Sequence, residues 1–152
     1  KYMIDKYDVN VVLIPMHYPE DLFISKELMD RANKRGCYTI SNRYGVEDII
    51  GIIRKLEFII AMRLHSLIYA AVQNIPMIGI IYDPKIEGFL NSINMDKMST
   101  VEDLEYKKLV EFIDYTWENR NELSNRLKEL NKPMKEEALK NIHIALKLLN
   151  SR

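Results

Sequence analysis

The segment Ala61-Met62-Arg63-Leu64-His65-Ser66 holds the densest set of groups in the chain that can do chemistry. Arg63 offers a planar fork of N–H donors that matches a carboxylate or a phosphate. His65 can donate to such an anion when protonated, or exchange a proton with a reacting group near neutral pH. Ser66 can cap a helix or reach a ligand. A second cluster, Tyr82-Asp83-Pro84-Lys85, adds a cation in Lys85 and an aromatic hydroxyl in Tyr82. Asp83 can accept a proton from a hydroxyl or orient a cationic neighbour. For Asp83 taken alone, a Pro-built turn with the Asp as helix cap is the more economical reading. His17 and Asp21 form a third and weaker pair, because a loop His and an Asp at a helix start commonly serve local structure. An isolated Arg is usually a surface charge, so Arg63 gains meaning only from what surrounds it.

Other chemistries lack their residues. The five glycines stand at 36, 45, 51, 79 and 88, too far apart for a G-x-G-x-x-G turn or a P-loop. The three histidines are dispersed, and Cys37 is the sole cysteine, so neither a disulfide nor a thiol-rich metal site is expected. His143 belongs to the wet face of a late helix.

These clusters need a scaffold that brings them together. Residues 9–16 form an apolar, β-branched run that predicts a buried strand. The turn His17-Tyr18-Pro19-Glu20-Asp21 follows, and Leu22, Ile24, Leu28, Met29 and Ala32 recur with helical spacing as far as Gly36, the expected stop. The unit then repeats. Strands are expected at 37–41, 58–61 and 77–81, and helices on Val46, Ile49, Ile50 and Ile53, on 66–74 and on about 86–93. Strands joined by helical crossovers pair in parallel, so the fold class is α/β, a Rossmann-like parallel sheet with flanking helices. In such sheets ligands bind beyond the carboxyl ends of the strands. All three clusters fall there.

After an extended piece at 97–100 the pattern becomes purely helical. Leu109, Phe112, Ile113, Trp117, Leu123, Leu127 and Leu130 form one apolar stripe. Pro133 is expected to restart a helix with Ala138, Ile142, Ala145, Leu146 and Leu149 on its inner face. The chain reads as a single domain over 1–152, with an α/β core at about 9–104 and a helical tail at about 105–152.

Composition sets outer bounds on function. Of 152 residues, 47% are hydrophobic and 29% charged, a globular balance. Lys plus Arg equal Asp plus Glu at 22 each, and the balance holds on both sides of position 100, which gives nucleic-acid binding no electrostatic support. The longest apolar stretch, 75–82, is far short of the roughly 20 residues of a transmembrane helix. One cysteine makes the cytoplasm the default compartment. The chain starts at Lys1 and is expected to be part of something longer.

The series Met62-Arg63-Leu64-His65-Ser66-Leu67-Ile68-Tyr69-Ala70-Ala71, then Asn74-Ile75-Pro76, then Tyr82-Asp83-Pro84-Lys85 with Gly88-Phe89 resembles the polysaccharide pyruvyl transferase family, most closely the CsaB type that modifies cell-wall polymers. Ile14-Pro15 and Asp21 extend the likeness upstream. The resemblance implies the C-terminal lobe of a two-lobed GT-B enzyme, with the N-terminal lobe missing. It further implies transfer of a pyruvyl group from phosphoenolpyruvate, a donor substrate rather than a cofactor, to two hydroxyls of a glycan or lipid-linked sugar. The product is a cyclic ketal. Arg63 matches the family's anion-binding arginine and His65 its donor-site histidine; with the reading of the residues themselves, His65 and Asp83 are the candidate catalytic residues, and Arg63, Ser66, Tyr82, Lys85, His17 and Asp21 the candidate substrate-binding ones. The parent enzyme would act in the cytoplasm, at the inner face of the membrane where a lipid-linked acceptor would sit, and the isolated chain would turn over little.

Two other classes fit the same scaffold. One is the donor lobe of a GT-B glycosyltransferase or sugar-nucleotide epimerase, which would prefer a UDP-sugar to phosphoenolpyruvate. The other is a non-catalytic binding or assembly lobe, which would tolerate loss of Arg63 and His65.

Overall fold

The computed structural model describes residues 1–33 and 35–150. A short helix, α1 (Tyr2–Tyr7), precedes β1 (Val11–Leu13), α2 (Glu20–Ala32), β2 (Cys37–Thr39), α3 (Val46–Ile53) and β3 (Ile59–Ala61). Then follow α4 (Leu64–Val72), β4 (Met77–Ile81), α5 (Pro84–Ser92), β5 (Met98–Thr100), α6 (Tyr106–Glu118) and α7 (Arg120–Asn150). The architecture is α/β and every ladder is parallel. The single sheet expected from sequence is divided: β1 pairs with β2, and β3, β4 and β5 pair in that order. Pro15, which has no N–H to give to a ladder, stands just beyond β1.

The core lies around β4. Met77 and Ile78 on that strand, Leu67 and Ala70 on α4, Ile86 and Leu90 on α5, and Leu127 on α7 are all buried. Gly79 lets α5 press close, since a Cβ there would stand 2.1 Å from the Leu90 Cδ1. β3 is the outer strand of its sheet, and Ile60 on it is 38% exposed.

Several helix ends differ from expectation. α2 stops at Ala32 because Asn33 takes the left-handed conformation at φ 43° and its N–H donates to the Met29 carbonyl. Asparagine is one of the few residues that visit this region readily. Gly36 is also left-handed, at φ 93°, but it turns the chain into β2 rather than capping the helix. α4 begins at Leu64, two residues before the expected start.

Pro133 does not restart a helix. The apolar stripe of the tail is broken instead at Asn119, between α6 and α7, and α7 runs on through Pro133. The proline and the Glu129 carbonyl that it leaves without a donor both belong to exposed residues, so water can replace the missing bond. Leu123 and Leu127 bury the first half of α7, and Asn131 donates to the Ala71 carbonyl at 3.0 Å, fastening it to the end of α4. The second half has no inner face: Leu139, Ile142, Leu146 and Leu149 are 41%, 55%, 50% and 70% exposed.

α1 was not foreseen from sequence. It is held on α6 through Asp114, whose Oδ1 accepts from the Tyr7 hydroxyl at 2.7 Å and whose Oδ2 meets Lys6 Nζ at 2.7 Å. The Tyr2 hydroxyl donates to the same carboxylate. The Tyr7 ring lies 4.9 Å from that of Trp117.

Candidate functional site

The junction of β3 and α4 presents Arg63 and His65. Arg63 is the N-cap, in extended conformation, and no side chain caps α4. The first amides of this helix therefore stay available at its N-terminus, where an anion is favoured. Ser66 is the third residue of α4 rather than its cap. It is buried, and its N–H donates to the Arg63 carbonyl at 3.0 Å.

Asp21, near the start of α2, locks this junction to the loop after β1. Its Oδ1 meets Arg63 Nη2 at 2.9 Å, while its Oδ2 accepts from the His17 and Met16 amides at 2.9 and 3.2 Å. Burial favours the neutral acid, but the Arg63 hydrogen bond and the two amides outweigh it and hold the carboxyl below the ordinary range. Asp21 in turn strengthens the charge of Arg63, with a smaller contribution from neighbouring Tyr82. With Tyr82 also beside it, the Arg63 side chain is still 42% exposed, so donors of its fork remain open to the cleft.

A cleft of about 530 Å³ opens in front of this pair. Arg63, His65 and Tyr69 line one side, Pro15 to Tyr18 another, and Asn42, Arg43 and Tyr44 a third, with Val46 and Ile49 of α3 below. Three strand ends thus converge on one space, those of β1, β2 and β3. The His65 ring is exposed and lies near the Tyr69 ring, at 6.3 Å between centroids. His17 Nε2 stands 3.5 Å from Glu20 Oε2, and both side chains are largely exposed.

The loop after β4 leaves at the expected sheet edge, where Tyr82 neighbours Arg63, but its charged pair turns inward on itself. β3 and β4 are adjacent and parallel, so Tyr82 leaves its strand at the same end as Arg63. Asp83 caps α5: its Oδ1 accepts the Lys85 N–H at 3.0 Å, and its Oδ2 pairs with Lys85 Nζ at 3.1 Å. These contacts hold the Asp83 carboxyl low and the Lys85 ammonium high. Lys85 therefore faces its own cap, and none of Tyr82, Asp83 and Lys85 lines the cleft.

Of the residues singled out in the sequence, His17, Arg63 and His65 line the cleft, and Asp21 stands behind Arg63. Tyr18, Asn42, Arg43, Tyr44 and Tyr69 were missed. The signal was present, because the rule that ligands gather at strand ends applies equally to the loop after β2. Among the described residues no group of three or more His, Cys, Asp or Glu is arranged to hold a metal ion. No described helix is long and apolar enough to cross a membrane.

No curated protein matches the chain significantly. A family model for polysaccharide pyruvyl transferases matches residues 1–84, which takes in α1, the cleft loops, Arg63, His65 and the turn as far as Pro84. That match covers more than half of the chain, which belongs to the polysaccharide pyruvyl transferase family.

Proposed function

We propose that this chain is the donor-binding lobe of a pyruvyltransferase and that its cleft receives phosphoenolpyruvate. One observation carries the reading: Arg63, oriented by Asp21, and His65 face a single cleft at the free N-terminus of α4. Phosphoenolpyruvate bears a phosphate and a carboxylate on a small frame, and a guanidinium fork, an imidazole and helix amides suit those charges. The CsaB-like sequence points to a cell-wall glycan as acceptor and to a GT-B partner lobe that supplies part of its recognition. The reaction belongs in the cytoplasm, at the inner membrane face when the acceptor is lipid-linked.

The chemistry follows from the donor. A proton added to the methylene carbon leaves positive character on the adjacent carbon, which a sugar hydroxyl attacks while losing its own proton to a base. Phosphate departs as its C–O bond breaks, and a second hydroxyl closes the ketal with loss of another proton. His65, exposed in the cleft, serves as the acid or as a hydrogen-bond donor to the departing phosphate. Both Asp83 oxygens are engaged by Lys85, which favours a base from the other lobe over Asp83.

Calorimetry tests the reading. Phosphoenolpyruvate should bind this chain in preference to UDP-sugars, and Arg63→Ala should weaken it at least about tenfold, the loss expected when a charged hydrogen-bonding partner of about 1.5–3 kcal/mol is removed. A preference for the UDP-sugar would assign the lobe to a glycosyltransferase or epimerase. Unchanged binding in both Arg63→Ala and His65→Ala would make it a non-catalytic module.

A further inference from the structure

The cleft is also lined by groups that the donor reading does not use. Asn42, Arg43 and Tyr44 follow β2, and Tyr18 follows β1. Among the described residues none of these four side chains has a hydrogen-bond or ion-pair partner. Tyr18 is 44% exposed and Tyr44 46%, so two aromatic surfaces face solvent on the walls of one concavity. Asn42 and Arg43 are exposed as well, so water satisfies them in the free protein and their hydrogen-bonding groups stay available beside two open rings.

Size separates this wall from the donor's place. A volume of about 530 Å³ lies within the roughly 300–1,000 Å³ of sites that hold drug-sized ligands, well beyond what a molecule as small as phosphoenolpyruvate fills. Its charges are already met on the Arg63 side. The remaining wall offers flat rings for stacking, together with the donor fork of Arg43 and the Asn42 amide, which carries both a donor and an acceptor for neighbouring hydroxyls. A pyranose ring has that shape, with apolar C–H faces and a rim of hydroxyls.

We propose that Asn42, Arg43, Tyr44 and Tyr18 form a saccharide subsite within this lobe, which stacks the acceptor sugar and holds the hydroxyls that do not react. The proposal rests on the reading of the Arg63 side as the donor site. It assigns part of acceptor recognition to this chain rather than leaving all of it to a second lobe. The reacting hydroxyls would then face the donor across one cleft, with no need for the sugar to be delivered by a separate surface.

The test uses the 152-residue chain. Saturation-transfer NMR is recorded with methyl glycosides of glucose, galactose and mannose and of their N-acetylamino counterparts, with and without phosphoenolpyruvate. At least one glycoside should receive saturation from the protein. Tyr44→Ala should remove the transfer and Arg43→Ala should weaken glycoside binding about fivefold or more, while phosphoenolpyruvate affinity stays within twofold of wild type in both. Tyr44→Phe, which keeps the ring, should retain the effect. The proposal is overturned if no glycoside receives saturation, or if the transfer survives Tyr44→Ala. It is equally overturned if Arg43→Ala weakens phosphoenolpyruvate as Arg63→Ala does, which would make Arg43 a donor ligand. Failure of phosphoenolpyruvate itself to bind while a glycoside does would count against the donor reading alone.

Discussion

Arg63 has one amino group committed to Asp21, and Asp21 is itself fixed by two backbone amides, so the direction of the guanidinium is set from the loop after β1. Replacing Asp21 by Asn keeps the shape but loses the charge that aims the fork. A charge-assisted bond is about twice as strong as a neutral one, so phosphoenolpyruvate affinity should fall about three- to tenfold in Asp21→Asn, read by calorimetry, with the melting temperature little changed. Because its folded carboxyl sits below the ordinary range, the pairing holds at neutral pH and is lost only as pH drops through the acid side. At this scale the sequence was informative about residue type and less so about partners. Arg63 and His65 stood out because an anion-matching fork and a proton-exchanging imidazole stand together at a strand end, where ligands gather. Lys85 stood out on the same ground, yet its position two residues after the cap residue Asp83 let it fold back onto that carboxylate. Arg43 escaped notice because Ser41-Asn42-Arg43-Tyr44 also reads as an ordinary polar loop, and only the return of β2 beside β1 brings it to the cleft.

The helices and strands were legible where hydrophobic period and local chemistry agreed. β4 matches its expected span in full, since five apolar residues between Pro76 and Tyr82 leave no other reading. The end of α2 was misplaced because two candidates for a left-handed residue, Asn33 and Gly36, lie close together, and both adopt positive φ. The tail was misread at Pro133 because an exposed proline in a long helix breaks only one bond. These assignments carry energetic consequences. Leu127→Ala should cost about 2–5 kcal/mol in chemical denaturation, as for a buried leucine, whereas Leu139→Ala on the exposed half of α7 should stay within about 0.5 kcal/mol. Gly79→Ala should destabilise by about 1–3 kcal/mol, because the added methyl collides with Leu90, which is itself fully buried and has little room to turn away.

At the scale of the molecule, sequence pattern conveyed an all-parallel α/β arrangement with helical crossovers but not the division into two sheets, which depends on whether β1 and β3 form a ladder. Nor did it reveal the docking of α1, which depends on residues more than a hundred positions apart. That docking should respond to acid. Lys6, with the Tyr2 and Tyr7 hydroxyls, holds the Asp114 carboxyl down at about 2, below its ordinary value of 3.8. A depressed carboxyl stabilises the fold above its unfolded value and loses that contribution as pH falls from about 4 towards 2. Trp117, the sole tryptophan, touches Tyr7, so its fluorescence should change over that interval in wild type and not in Asp114→Asn. The central claim concerns the cleft where three strand ends meet, and an amide-resolved NMR titration of the labelled chain with phosphoenolpyruvate tests it most directly. The account predicts that the largest shifts fall on Leu64, His65 and Ser66 at the start of α4 and on the Arg63 side chain. Shifts confined to the distant hollow beside Asn91, Asp96 and Arg126, or no saturable shifts at all, would contradict it.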